Sequence, residues 1–158
     1  MADCVVTTPA RETRPAHPIL EQDATSEWLG IQVAHLGDGE ATITMDLRPE
    51  MLNGFAIAHG GMVFAFADTA FALACNPSSP ASLAEMETIT VASGADINFI
   101  SSASAGEKLR AEAVRRAGAG RSGIYDIEVS AEAPDGSSRV IAEFRGRSRT
   151  IPNPARRA

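Results

Sequence analysis

Residues 52–76 read LNGFAIAHGGMVFAFADTAFALACN, and the run from Gly60 to Cys75 is apolar almost all the way round. Such a run offers no polar face to water and predicts a buried helix. One residue breaks the pattern: Asp68, near its middle. An ionised carboxylate withdrawn from water without partners is costly, so a sequence seldom places one there without a reason. Two readings fit: a core acid satisfied by neighbouring backbone or hydroxyl groups, or a chemical group tuned by its burial.

The residues before the helix bear on that choice. A turn signal at Asn53-Gly54 is followed by His59-Gly60-Gly61 where the helical pattern begins. Backbone N–H groups at a helix start have no intrahelical acceptor and form an electropositive site, and glycine there lets another molecule approach the backbone. A carbonyl oxygen gaining negative charge suits such a site. A tight loop without a ligand accounts for the glycine pair equally, and His59 reads either as a participant in chemistry or as a helix-start residue bonding its own loop.

Asp68 lies eight positions after Gly60, which separates them by roughly 12 Å along one helix. They cannot both touch one reacting carbonyl. If the glycine amide polarises a substrate while the acid works about 3 Å away, the two come from different copies of the chain, and a composite site at a homodimer interface follows. Ala65, Ala67, Ala70, Ala72 and Ala74 suit close packing against a second copy, although alanine also simply favours helix.

Outward from the helix, the chain alternates. Ile31 to Leu36 and Glu40 to Leu47 read as a hairpin about Gly37-Asp38-Gly39. Pro77 to Pro80 stops the helix. Glu87 to Phe99, Lys108 to Arg116, Gly123 to Ala133 and Arg139 to Thr150 follow as strands, with a turn at Pro134-Asp135-Gly136-Ser137 between the last two. A short helix is expected around Pro18 to Trp28, where Leu20, Ala24 and Trp28 recur at fourfold spacing. One long helix amid hairpin-linked strands means an α+β fold with an antiparallel sheet. Residues 1–17 read as a disordered tail, 18–151 as one domain and 152–158 as a flexible end.

The stretch LNGFAIAHGGMVFAFADTAFALACN resembles the signature of the phenylacetic-acid degradation (PaaI) acyl-CoA thioesterases of the hotdog superfamily. The resemblance continues through GADINFI (94–100), GEKLRAEA (106–113), SGIYDIEV (122–129) and FRGRSRT (144–150), and covers about residues 17–150. It implies a curled antiparallel sheet wrapped round one long helix, with a short N-terminal helix, two units pairing edge to edge and a dimer of dimers. It further implies that Asp68 is nucleophile or general base, that the Gly60 amide donates to the thioester oxygen, and that Asn53 orients water or carbonyl. His59 joins this catalytic set, and Gly61, Thr69, Phe64 and Arg121 are expected on the substrate side. The implied reaction is hydrolysis of phenylacetyl-CoA, hydroxyphenylacetyl-CoA or a medium-chain relative. CoA is then part of the substrate, and no separate cofactor or metal is called for. After Phe99 this chain reads Ile100-Ser101-Ser102-Ala103 where many relatives have an Arg-Pro-type turn. A non-catalytic acyl-CoA sensor on the same fold is the alternative, and a hotdog dehydratase using an Asp/His pair a third.

Bulk properties suit a single-domain enzyme. The 158 residues, 44% hydrophobic, are enough for one core. A net charge of −6 argues against nucleic acid as a partner, and the helix run is too short and too interrupted by Asp68 to span a membrane. Cys4 and Cys75 suggest no disulfide framework, and the N-terminus lacks a basic start followed by an apolar stretch, so a cytoplasmic protein is expected. His17, His35 and His59 have no metal-like spacing. Basic residues gather late, at Arg115, Arg116, Arg121, Arg145, Arg147, Arg149, Arg156 and Arg157. They read as a solvated face or as contacts for CoA phosphates, with Arg121 the best placed because glycines flank its loop.

Overall fold

The computed structural model describes residues 17–80 and 82–157; the expected N-terminal tail lies outside them except for His17, which is buried. Six strands form one antiparallel sheet: β1 (Gln32–Gly37), β2 (Glu40–Asp46), β3 (Thr88–Phe99), β4 (Lys108–Ala119), β5 (Ser122–Glu132) and β6 (Ser138–Pro152). Their spatial order is β1-β2-β4-β5-β6-β3, so β3 is an edge strand paired only with β6. A short helix α1 (Ala24–Leu29) precedes the sheet, and the long helix α2 (Gly60–Cys75) packs into its concave face. This is the hotdog architecture.

Alternation along the strands makes the core. Leu109, Ala111 and Ala113 of β4, Tyr125, Ile127 and Val129 of β5, and Ala142 and Phe144 of β6 are buried towards α2, which answers with Val63, Phe66, Ala67, Ala70, Phe71, Leu73 and Ala74. Burying each large side chain stabilises the fold by about 1.5–3 kcal/mol. Gly146 makes room for the helix: a Cβ there would meet the Phe71 ring at 2.8 Å.

Four expectations are corrected. The helix expected over Pro18 to Trp28 splits into a 3₁₀ turn (Pro18–Leu20) and α1, because the Asp23 carboxylate accepts from Thr25 and Ser26 N–H and starts a new helix. Helix α2 is not buried all round, since Gly61 and Phe64 are exposed and Ala65, Asp68 and Ala72 half-buried along one stripe. Of the five alanines expected to face a second copy, Ala67, Ala70 and Ala74 are instead buried against the chain's own sheet. The flexible end expected from residue 152 is partly built in: β6 runs to Pro152, Asn153 is buried and a 3₁₀ turn covers Pro154–Arg157.

Two devices set α2 against the edge strand. Asn76, the residue after the helix, donates from Nδ2 to Ala72 O and Thr90 O and accepts the Thr90 N–H on Oδ1. It thereby covers part of the edge that β3 would otherwise leave open. A register shift between Ala92 and Gly94 marks a bulge in β3, a feature that bends a strand.

Candidate active site

The loop before α2 is built by its own polar groups. Asn53 Oδ1 accepts the N–H of Phe55 (2.9 Å) and of Ile57 (3.4 Å), while its backbone exchanges hydrogen bonds with Ile57 and Ala56. Ala56 takes φ 59°, a left-handed conformation that a residue with a side chain seldom adopts. His59 is the N-cap: its Nδ1 accepts the Gly61 N–H at 3.0 Å, and its carbonyl accepts from Met62 and Val63. With Nδ1 accepting, the neutral ring carries its proton on Nε2. The Gly60 N–H is left with no acceptor among the described residues, at the positive end of a 16-residue helix.

A cavity of about 360 Å³ lies against this amide, lined by Asn53, Ile57, Phe99, Ile100 and Ile141 among others. The Phe99 ring comes so near that a Cβ on Gly60 would sit 3.1 Å from its Cζ. The loop following Phe99 is tied down: Ser101 Oγ donates to Val140 O, and Arg139 donates to Ser102 O and to both carboxylate oxygens of Glu107 at 2.7 and 2.9 Å. That guanidinium holds the buried Glu107 carboxyl below the usual carboxylate range. Residues 100–103, where the chain departs from its resemblance, are thus fixed by side-chain bonds rather than by a proline.

Asp68 has neither a hydrogen-bond donor nor a cation beside it among the described residues. It is half-buried, and burial pushes its carboxyl above the usual range. Its oxygens are open to solvent rather than buried without a partner, so no neighbouring backbone or hydroxyl group satisfies it as the core reading requires. Asp68 opens on a second cavity, about 390 Å³, whose walls include Ile19, Phe71, Leu83, Ile89 and Asn153. A carboxylate that burial partly strips of water is a stronger base than one in bulk water.

The two cavities share no lining residue. Gly60, Asn53 and His59 therefore come together at one end of α2, and Asp68 stands apart from them. The remaining expected residues are spread along the helix and beyond. Gly61 has its N–H spent on His59. Thr69 Oγ1 donates to Ala65 O and lies 3.4 Å from Ser26 Oγ. Phe64 is half-exposed and meets Phe144 edge-on at 5.2 Å. Arg121 is exposed at the tip of the β4–β5 hairpin. Ser122 pairs with Arg149 and Phe99 with Ala142, so that tip lies about 23 Å along β6 from the Gly60 end. Of the other late arginines, Arg116 and Arg145 bind Asp126, and Arg147 binds Asp96. Phe99 and Asn153 were not singled out from the sequence; both meet the site through contacts between segments far apart in the chain.

Residues 55–137 match the thioesterase superfamily. The chain belongs to that family. It is 38% identical over 136 residues to the acyl-coenzyme A thioesterase PaaI of Escherichia coli (strain K12), covering 86% of this chain and 89% of that protein. The solved structure of E. coli PaaI superposes with a TM-score of 0.75 at 37% identity, over 88% of this chain and 92% of the other. A mutant of the phenylacetic acid degradation protein PaaI from Thermus thermophilus gives a TM-score of 0.68 at 33% identity, over 80% of this chain and 98% of the other. This thioesterase is of the PaaI type, an acyl-CoA thioester hydrolase. Among the described residues no helix is long and apolar enough to cross a membrane.

Proposed function

We propose that this PaaI-type thioesterase hydrolyses phenylacetyl-CoA, its hydroxylated forms or acyl groups of similar size, at a site shared by two copies of the chain. The unpartnered Asp68 carboxyl beside an apolar cavity carries the proposal. Gly60 and Asp68 lie four residues either side of Phe64. Two α2 helices crossing antiparallel on a two-fold axis at Phe64 would set each Gly60 opposite the partner's Asp68. The half-exposed stripe on α2 and the apolar edge residues Val91 and Phe99 of β3 suit that contact. Two such dimers form the tetramer.

In this reading the thioester carbonyl oxygen accepts the Gly60 N–H, whose dipole stabilises the oxyanion as the tetrahedral intermediate forms. Asp68 of the other copy takes a proton from water as its oxygen bonds to the carbonyl carbon. The C–S bond then breaks, and the thiolate leaves readily because thiolates are weak bases, the thiol of cysteine having a pKa of about 8.5. Asn53 and His59 hold the loop that aims the amide, with the Asn53 amide N–H₂ available to water or carbonyl. Direct attack by Asp68 is the variant of this mechanism, which single turnover in H₂¹⁸O separates by label in the enzyme. CoA enters as part of the substrate and no other cofactor takes part. A cytoplasmic role in phenylacetate breakdown, freeing CoA from stalled esters, fits this chemistry.

Purified protein incubated with a panel of acyl-CoA thioesters and a thiol reagent tests the proposal. Release of free CoA fastest from arylacetyl esters is the expected result. Release that favours acetyl-CoA over every aromatic ester contradicts the substrate assignment, and tight binding without release points to a sensor.

A further inference from the structure

The cavity beside Asp68 is walled on one side by three segments that are far apart in sequence. Ile19 comes from the N-terminal 3₁₀ turn, Leu83 from a 3₁₀ turn before β3 (Leu83–Glu85), and Ala155 from the turn that ends the chain. Asn153 holds the last two together. It is 5% exposed; its Nδ2 donates to Leu83 O at 2.7 Å and Met86 O at 2.8 Å, its N–H donates to Glu87 O, and its Oδ1 accepts the Ala155 N–H. Arg156 adds a bond to Glu85 O. On the N-terminal side the buried His17 bonds Pro77 O through Nε2 and the Ile19 N–H through Nδ1.

These bonds use the side-chain amide of Asn153 to tie chain to chain, so both of its N–H donors are spent on the fold and none is left for a ligand of this cavity. The wall it supports is apolar where it meets the cavity, through Leu83, Ile19 and Ala155, with Asp68 also on the lining. A carboxylate and an apolar wall in one cavity suit a reactive carbon carrying a hydrocarbon group, and suit the polar pantetheine arm poorly.

We infer that the Asn153-clasped wall formed by Leu83 and Ala155 is the stop for the acyl chain and sets the largest acyl group the enzyme accepts. The inference rests on Asp68 being the reactive acid. An extra or missing methylene in an apolar pocket changes discrimination by about 10–200-fold, so the small or flexible residues of this wall carry a large share of the selectivity. Ala155 is exposed and lies outside the buried core, so enlarging it leaves that core untouched.

The test is kcat/KM for straight-chain esters from acetyl-CoA to dodecanoyl-CoA and for phenylacetyl-CoA, in the parent, Leu83→Ala and Ala155→Phe. Leu83→Ala is expected to move the optimum to longer chains, raising the dodecanoyl-to-acetyl ratio about 10-fold. Ala155→Phe is expected to move it the other way by a similar factor. Variants that change every ester by one common factor overturn the inference and assign this cavity to the CoA arm. Affinities for non-hydrolysable thioether analogues are read in parallel. A protein that releases no CoA overturns the proposed reaction, whereas a thioether affinity profile that both substitutions leave unmoved overturns the wall.

Discussion

At the start of α2 nearly every polar group has a partner, with Nδ1 of His59 taking the Gly61 N–H and Oδ1 of Asn53 holding two amides of the loop, whereas two turns further on Asp68 has none. The first region is held by its own hydrogen bonds and leaves one backbone donor at the helix start, the Gly60 amide, beside the Asn53 amide N–H₂. The second keeps a charge in an environment that disfavours it. An electrophilic donor works best when it is fixed before the substrate arrives, and a base works best when water does not solvate it. The start and the middle of one helix meet these opposite demands.

That contrast is broken most severely by Asp68→Asn. Activity should fall by about 10²–10⁴-fold, the usual worth of a positioned base, while the fold survives. Burial raises the folded pKa of Asp68 above its unfolded value. The stability tied to this group is therefore complete below the ordinary carboxylate range and is lost as pH rises through the raised value. Asp68→Asn removes that loss, so melting curves should show the variant above the parent at neutral pH and equal to it in acid. In the parent, kcat/KM should drop with acid at a pH above the ordinary aspartate range. A variant that melts lower than the parent at neutral pH would mean that Asp68 has partners after all.

Next in size is Gly60→Pro. It deletes the free backbone N–H of the helix start yet suits a first helical position, and His59 already has the extended φ −66°, ψ 127° that a residue before proline requires. Loss of one oxyanion donor costs about 10²–10³ in kcat. Gly60→Ala keeps the amide and meets only the half-exposed Phe99 ring, so its loss should be much smaller. Equal losses in the two variants would show that space, not the N–H, matters there.

Smaller effects sharpen the stiffness of the first region. Glu107→Gln should destabilise by about 1–2 kcal/mol, since Glu107 is buried but Arg139 is partly exposed and its pair is screened. The depressed pKa of Glu107 contributes stability above its unfolded value that disappears as pH falls through the lowered one, so the gap between variant and parent should close in acid denaturation. His59→Ala loses the cap and should cost about 1 kcal/mol by chemical denaturation, with kcat falling less than for Gly60→Pro. A kcat loss as deep as that of Asp68→Asn would return His59 to proton transfer.

Much of this was readable from residues alone. Gly60-Gly61 at one end and Asn76-Pro77 at the other bound α2, and strict alternation marks Leu109 to Ala113 and Tyr125 to Ala131 as strands with one buried face. Asp68 stood out because one carboxylate in an apolar helix has no local explanation. What stayed hidden depends on three-dimensional register. Phe99 meets Gly60 across 39 residues of chain, on a strand whose register shifts between Ala92 and Gly94, and nothing local in the sequence dictates that meeting. Asn153 reads as a polar residue in a proline-rich end, and its burial follows from carbonyls at Leu83 and Met86 that lie some 70 residues away. Which alanines of α2 face outward likewise depends on the side the sheet occupies.

The most direct measurement mixes two crippled chains. Asp68→Asn and Gly60→Pro proteins, each nearly inactive, are co-expressed with different tags, and the doubly tagged dimer is purified and assayed. If each site takes Gly60 from one chain and Asp68 from its twin, the mixed dimer holds one intact site and one doubly damaged site, and recovers about half of the parental kcat per dimer. A mixed dimer no more active than its two parents would place both groups in a single chain and contradict the shared site.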